Sequence, residues 1–540
     1  MGTTLRLRRT ALFLSCLCAS AMLVAQKPLP ADRSGGAGAV TVDQTKAWLG
    51  HLAGPELAGR GTGQPGYRLA ADYVRDHFAK LGLEPGADGS WFQDMPWTAR
   101  EPKIDATKVT FRLGDKVVEI PGTRLAGSVS SEIAATGAVA ILTTTESTEL
   151  EDVDLEGRIV VVALPKEPQE QNPRGRGRNR QFQVTRALQG KKAAAVLMAQ
   201  TEPVTSGLQG SSGPGRGNNP AARGRGRMPT TLSFGGQDLK ALFDLAGLPE
   251  NTEAGVHLLA VQAEIAAPIE EKQAPACNVV GILRGSDPVL KNEYVVIGSH
   301  LDHLGRRGDT IFPGADDDGS GTTGVLAVSQ MFAKNTEKPR RSILFVCFCG
   351  EEMGLLGSRH FADNSPIPVE SIVAELQMDM IGRDEEENAE GDKGEKAEDN
   401  RNTVHLIGTK QLAPALHELC MARNENAGLD IEWDQEGMFS RSDHANFARL
   451  GVPIAFFFTG LHRDYHQPSD TPDKIHYEKL LRIATWVYDV GFELGKQDGR
   501  PQIDPELWKN YDGKGRREPA APLMPKKTPA KDDKDAEKGK

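Results

Sequence analysis

Residues 348–358 read FCGEEMGLLGS, so the apolar run from Ser342 to Phe348 is followed almost at once by two adjacent glutamates, Glu351 and Glu352. Adjacent carboxylates at a strand end repel each other unless a cation sits beside them. Other apolar runs lead into ligating side chains as well. Tyr294 to Gly298 is followed by Ser299-His300-Leu301-Asp302-His303, then by Gly314-Ala-Asp-Asp-Asp-Gly-Ser-Gly321 ahead of a helix-like stretch. Ala374 to Met378 leads into Asp379, and Ile454 to Phe458 is followed shortly by Asp464-Tyr465-His466. Taken singly, a strand-end aspartate is a cap or turn residue, and a lone histidine a satisfied core residue. Together these segments bring two imidazoles and three or four carboxylates to one sheet edge. That is more negative charge than can cluster without metal. A mixed His/Asp/Glu set suits zinc, with manganese or cobalt as alternatives. Copper would want more histidine, and calcium would not take imidazole.

The elements that must position these groups alternate between strand and helix. Asn278 to Leu283, Tyr294 to Gly298, Ile343 to Phe348, Ala374 to Met378, Val404 to Ile407 and Ile454 to Phe458 read as strands, with helix-like stretches such as Gly321 to Ala333 and Gln411 to Arg423 between them. That pattern predicts an α/β domain with a mostly parallel central sheet flanked by helices, whose site lies beyond the carboxyl ends of the strands. An amphipathic helix is predicted from Gly66 to Leu81, with Leu69, Ala70, Tyr73, Val74, Phe78 and Leu81 on one face. Between about Val109 and Ile265 the texture is β-rich, with strands at Ala138 to Thr143, Ile159 to Leu164 and Ala193 to Ala199 and a helix-like stretch at Phe182 to Leu188. Arg/Gly tracts at 172–180 and 213–227 read as flexible loops. The charged stretch Asp384 to Asn402 reads as a mobile surface loop, and the tail from about Pro501 as disordered.

The net charge of −10, with no aromatic platform in the Arg/Gly tracts, gives no reason to expect nucleic acid as a partner. Met1 to Arg9 is basic and Ala11 to Val24 apolar, the pattern of a signal peptide cleaved near Ala21 or Ala25. The expected location is therefore periplasmic or extracellular, with no stable membrane span after cleavage. Cys277, Cys347, Cys349 and Cys420 would remain, too few for a disulfide scaffold, and no Cys-x-x-Cys pair exists for a zinc ribbon. Ser440-Arg-Ser-Asp443-His444 suggests a Ser-His-Asp triad, but no Gly-x-Ser-x-Gly elbow accompanies it.

His300-x-Asp302, the Gly-Ala-Asp-Asp-Asp-Gly-Ser-Gly run, Glu351-Glu352-x-Gly-Leu-Leu-Gly-Ser, Met378-Asp379-Met-Ile-Gly and Tyr465-His466-x-Pro-x-Asp470-Thr together resemble the M28 family of co-catalytic di-zinc metallopeptidases. The resemblance covers roughly Thr41 to Arg100 and Cys277 to Lys496. The β-rich block between resembles, in texture and position, a protease-associated (PA) domain that some members carry. It implies two Zn2+ ions per chain, other divalent metals being possible. One ion would take His300 and Asp379, the other Glu352 and His466, and Asp317 would bridge both. It also implies a cis peptide bond after Asp317, and an Asp302 that accepts the other ring N–H of His300 from behind. Glu351 would be the general base toward a metal-activated water, and Tyr465 a candidate donor to the oxyanion. For His303, Arg383 and His462 the expected role is a salt bridge or a supporting contact.

The expected activity is an exported zinc exopeptidase acting on peptides, foremost an aminopeptidase. A carboxypeptidase or dipeptidase on the same site, a glutaminyl-cyclase-like enzyme and a non-catalytic scaffold are the alternatives. The expected division is a signal peptide (1–25), a linker (26–40), the N-terminal part of the catalytic domain (41–108), a PA-like insertion (109–270), the catalytic domain proper (271–496) and a charged tail (497–540).

Overall fold

The computed structural model of the chain describes residues 27–144, 150, 152–163, 188, 191–204, 207–214, 231–249, 251–388 and 393–510. The signal-peptide segment, the first Arg/Gly tract, nearly all of the second, most of the 182–188 stretch and the tail beyond 510 lie outside the described residues.

The main sheet runs in the order Glu84–Pro85, Cys277–Leu283, Ser342–Phe348, Tyr294–His300, Ile372–Met378, Ile454–Phe458, Thr403–Ile407 and Asp430–Glu432, with Phe92–Asp94 also paired to Cys277–Leu283. The four central strands, from Ser342–Phe348 to Ile454–Phe458, are parallel. They are apolar over most of their length because both faces are covered, although Glu375 and Gln377 are buried within Ile372–Met378. In Ser342–Phe348, Ile343, Phe345 and Cys347 enter one core and Leu344, Val346 and Phe348 the other. Parallel strands deliver their carboxyl ends to one edge, so the residues after them converge. The helix Gly319–Lys334 is buried on nearly all sides, between the sheet and the long helix Tyr477–Lys496. Phe332 meets Tyr488 edge-on at 4.7 Å in that contact.

Four expectations need correction. The helix Pro65–Lys80 buries Tyr67, Ala70, Ala71, Val74 and Phe78, while Leu69 is exposed. Tyr67 turns the buried face because its hydroxyl donates to the Cys277 carbonyl at 2.6 Å. The stretch read as a linker contains a docked helix, Ala31–Ala37. Its buried Arg33 pairs with Asp489 at 2.8 Å and Glu493 at 2.7 Å on the long helix. The charged stretch after Arg383 is anchored rather than loose: Asp384 binds Lys479 at 2.8 Å, and the Asn400 side chain donates to the Glu385 carbonyl. Beyond Pro501, residues Pro505–Asn510 form a short helix.

The β-rich block is a seven-stranded sheet of its own, in the order Thr231–Gly235, Ala195–Gln200, Ile159–Ala163, Ile133–Leu142, Val256–Ala267, Lys108–Leu113 and Lys116–Pro121. Separate apolar clusters cover its two faces, and the helix Gln237–Ala246 packs into one of them. The chain enters this unit through Trp97–Pro102 and leaves through Ile269–Gln273, which pair antiparallel. Entry and exit lie side by side, which is how a unit is inserted without disturbing its host. Among the described residues no helix is long and apolar enough to cross a membrane.

Candidate metal centre

The structure brings His300, Asp317, Glu351, Glu352, Asp379, His466 and Tyr465 together at the carboxyl edge of the parallel strands. His300 ends its strand; its Nε2 lies 3.2 Å from Asp317 Oδ1 and 3.5 Å from Asp379 Oδ1. His466 Nε2 lies 3.1 Å from Asp317 Oδ2 and 3.1 Å from Glu352 Oε2. With metal–ligand bonds of about 2.0–2.2 Å, neighbouring ligand atoms of a tetrahedral shell stand roughly 3.3 Å apart. Both groups of three match that spacing, and Asp317 contributes one oxygen to each. Asp317 Oδ2 and Glu352 Oε1 are buried and make no hydrogen bond, so the donor set fits a pair of divalent cations. Burial would raise the Asp317 carboxyl, but the imidazoles of His303, His300 and His466 hold it well below the usual range.

The three consecutive aspartates have three different tasks. Asp317 faces the centre. Asp318 caps the helix that follows, accepting from Gly321 N at 2.8 Å, and also accepts from His300 N and Met380 N, both at 3.1 Å. It thereby joins the helix to the ends of two strands. Asp316 accepts from Gly382 N at 2.7 Å and lies 3.2 Å from His462 Nε2. Asp470 accepts from the amides of both Asp316 and Asp317. The Asp317–Asp318 peptide bond is cis. The fully buried guanidinium of Arg60 reaches the carbonyls of Leu52, Leu301, Pro313 and Gly314, which secures the loop ahead of Asp317. Sequence reasoning missed Arg60, since nothing in its neighbourhood distinguishes it. Asp316, Asp318 and Asp470 lay inside quoted motifs, but their tasks depend on loops distant in the chain.

Asp302 differs in detail from expectation. His300 Nδ1 lies 3.0 Å from the backbone carbonyl of Asp302, whereas the Asp302 carboxylate is 3.9 Å away. That carboxylate instead accepts from Glu351 N at 3.1 Å and so orients the Glu351-Glu352 turn. The buried His303 lies 2.7 Å from Glu352 Oε1, the oxygen turned away from His466, a supporting contact for that carboxylate. Arg383 pairs with Asp464 at 3.2 Å. Gly350 adopts φ +65°, and a Cβ there would lie 3.4 Å from the Trp97 ring at the neck of the inserted unit. Gly354 has open space around it but φ +102°, so its backbone conformation, not crowding, calls for glycine.

A cleft opens over the centre. Met438, Phe456, Phe458 and Leu461 give it an apolar wall, with Arg441 and Tyr465 beside them. The Tyr465 ring stacks on His466 at 3.9 Å, and its hydroxyl accepts from Arg441 at 2.9 Å. Burial pushes the Glu351 carboxyl well above its ordinary value; Glu352, Asp379 and Asp443 push the same way and His300 opposes them. Asp443, buried and raised to about 7 chiefly by burial, shows that the Ser440–His444 segment adds an acid to this neighbourhood.

Residues 278–490 match the model of peptidase family M28. They form a domain of that family. The curated relatives include a probable leucine aminopeptidase of Arthroderma otae, 28% identical over 221 residues, which are 39% of this chain and 57% of the relative. They also include aminopeptidase YwaD of Bacillus subtilis, 25% identical over 233 residues, 42% of this chain and 46% of that one. The chain thus spans about half the length of the curated relatives it matches. The solved structure of BSAP, a zinc aminopeptidase from Bacillus subtilis, superposes with a TM-score of 0.51 at 17% identity, covering 86% of this chain and 98% of the other. That likeness extends the shared fold beyond the M28 domain itself.

Proposed function

We propose that the chain is an exported co-catalytic zinc aminopeptidase that removes N-terminal residues from peptides. The observation that carries this reading is the carboxylate of Asp317, shared between His300 and His466, with Glu351 beside it. His300, Asp379 and Asp317 would hold one zinc ion, and Asp317, Glu352 and His466 the other. Zinc bound there would supply Lewis acidity toward a water and toward the scissile carbonyl.

The chain's own groups supply the rest. Glu351, whose amide is fixed by Asp302, takes a proton from the attacking water and passes it to the leaving amine. Tyr465 accepts a bond from Arg441, so its own proton is left to donate toward the carbonyl oxygen as charge develops there. Glu351, the carboxylate of the cleft floor that would hold no metal, can favour a substrate ammonium. Met438, Phe456, Phe458 and Leu461 favour an apolar first side chain. That agrees with relatives named for leucine. The inserted β-rich unit reads as a PA-like domain, and the Trp97 ring at its neck lies near Gly350, ahead of the Glu351 turn.

Arg441 supports a second reading. A guanidinium in the cleft wall can receive a free carboxylate, as a carboxypeptidase or dipeptidase requires. Hydrolysis of free-amino, N-blocked and C-terminal substrate panels, with and without chelator, separates the two. Turnover of free-amino substrates alone, lost in chelator, supports the aminopeptidase. Turnover of the C-terminal panel alone supports the second reading.

A further inference from the structure

The turn after Arg383 drives a carboxylate into the far side of the sheet. Lys479 holds Asp384, and Glu386 N donates to the Leu461 carbonyl at 3.0 Å. Between them the buried Glu385 sets Oε2 2.8 Å from His405 Nε2. His405 pairs in register with Glu432 on the neighbouring parallel strand, which places Glu432 beside the same imidazole. Asp434, two residues further on, lies 3.2 Å from His405 Nδ1.

His405 is fully buried, and its Nδ1 makes no hydrogen bond, since Asp434 is near but not aligned. Three carboxylates therefore surround one imidazole. Among the described residues no lysine or arginine pairs with Glu385, Glu432 or Asp434. Lys410 lies instead over the Trp433 ring at 4.3 Å. Burial raises the Glu432 carboxyl, and Asp434, Glu385 and Glu395 raise it further against the pull of His405. Glu385 Oε1 accepts from the Gln435 side-chain amide at 3.0 Å and His405 can offset one charge, yet the three carboxylates together still carry net negative charge, which is costly where Glu385 is buried unless a counter-ion sits there.

We propose that Glu385, His405 and Glu432 bind a divalent cation of the zinc–manganese class, at a site separate from the Asp317 centre. One ligand atom from each of the three lies within 4.8 Å of the others, so small side-chain movements bring all three to an ion. The imidazole selects against calcium and magnesium, and two glutamates suit zinc or manganese completed by water. Such an ion would pin the segment after Arg383 to the strands Thr403–Ile407 and Asp430–Glu432. The same turn supports the loop that leads to His466: Gly460, at φ +90°, could carry no side chain without striking Glu385. The ion would be a brace behind the cleft wall, where the His405 ring lies 5.9 Å from Phe458.

The test uses the full chain and the variants Glu432→Gln and His405→Gln. Each is stripped of metal, reloaded with Zn2+, Mn2+ or Ca2+ in separate runs, freed of excess, and its metal counted by mass spectrometry. Wild type is expected to retain one equivalent per chain more than either variant, and only its Tm should rise as that equivalent binds. Peptide hydrolysis by Glu432→Gln should remain within about twofold of wild type, which separates this site from the Asp317 centre. Equal metal content in wild type and both variants would overturn the proposal. So would an additional equivalent taken only as Ca2+, because that would exclude the imidazole.

Discussion

Asp317 divides its carboxylate between two histidines, Oδ1 at 3.2 Å from His300 and Oδ2 at 3.1 Å from His466. One side chain therefore belongs to both halves of the centre. Asp317→Asn should depress the affinity for both ions, by at least the roughly 10–100-fold seen when a mere supporting group is lost. Metal titration of the variant should show two weakened sites. Loss of a single site would mean that the aspartate does not bridge.

Glu351 contacts neither ligand group as closely as Glu352 does. Glu351→Gln should lower kcat by roughly 10²–10⁴-fold while metal content and KM stay near wild type. Loss of metal in this variant would recast Glu351 as a ligand rather than the base.

Tyr465 is held by its stacking on His466 and by Arg441. If its hydroxyl donates to the developing oxyanion, Tyr465→Phe should reduce kcat by roughly 10²-fold with little change in KM. A change below about threefold would leave the ring with a packing role. Arg441→Ala distinguishes the two functional readings. It should sharply raise KM for the C-terminal panel if Arg441 reads a carboxylate, and have little effect on KM for free-amino substrates if it does not.

His444 is fully buried and stacks on Phe456 at 4.5 Å. Burial lowers its pKa to about 3, against an ordinary 6.5. The unfolded chain therefore binds a proton that the folded one refuses. The stability gained by keeping His444 neutral is present in full above pH 6.5 and is lost progressively as pH falls toward 3. Its slope approaches about 1.4 kcal/mol per pH unit. His444→Leu should flatten the acid limb of Tm against pH in that window; an unchanged limb would show that His444 titrates normally.

Arg33 ties the N-terminal helix to Asp489, which has no exposure to solvent. Arg33→Ala leaves that carboxylate without its cation and should cost about 3–5 kcal/mol. A urea melt that shifts by less than about 1 kcal/mol would mean that the helix is not needed for stability.

The parallel α/β domain was legible in the chain because apolar runs of strand length alternate with helical stretches, and the runs ending at Gly298, Phe348, Met378 and Phe458 are each followed by ligating residues. Local pattern suffices there, since a strand buried on both faces is predominantly apolar and its end must carry whatever the sheet edge presents. The residues that meet at the centre were named from those positions. Their pairing in space was not. Distances fixed by folding show the His300 ring facing a backbone carbonyl and the Asp302 carboxylate turned to Glu351. The same holds for Arg33 and Arg60. Nothing near Arg33 in sequence announces Asp489, and nothing near Arg60 announces its four carbonyls, so a helix read as linker and a buried arginine passed unnoticed. The acidic stretch after Arg383 read as solvated because charge runs usually are; Lys479 and His405, distant in sequence, decide otherwise. Sequence periodicity reports which face of an element is apolar. Which charges meet across elements depends on chain segments tens to hundreds of residues apart, and only the tertiary structure decides that.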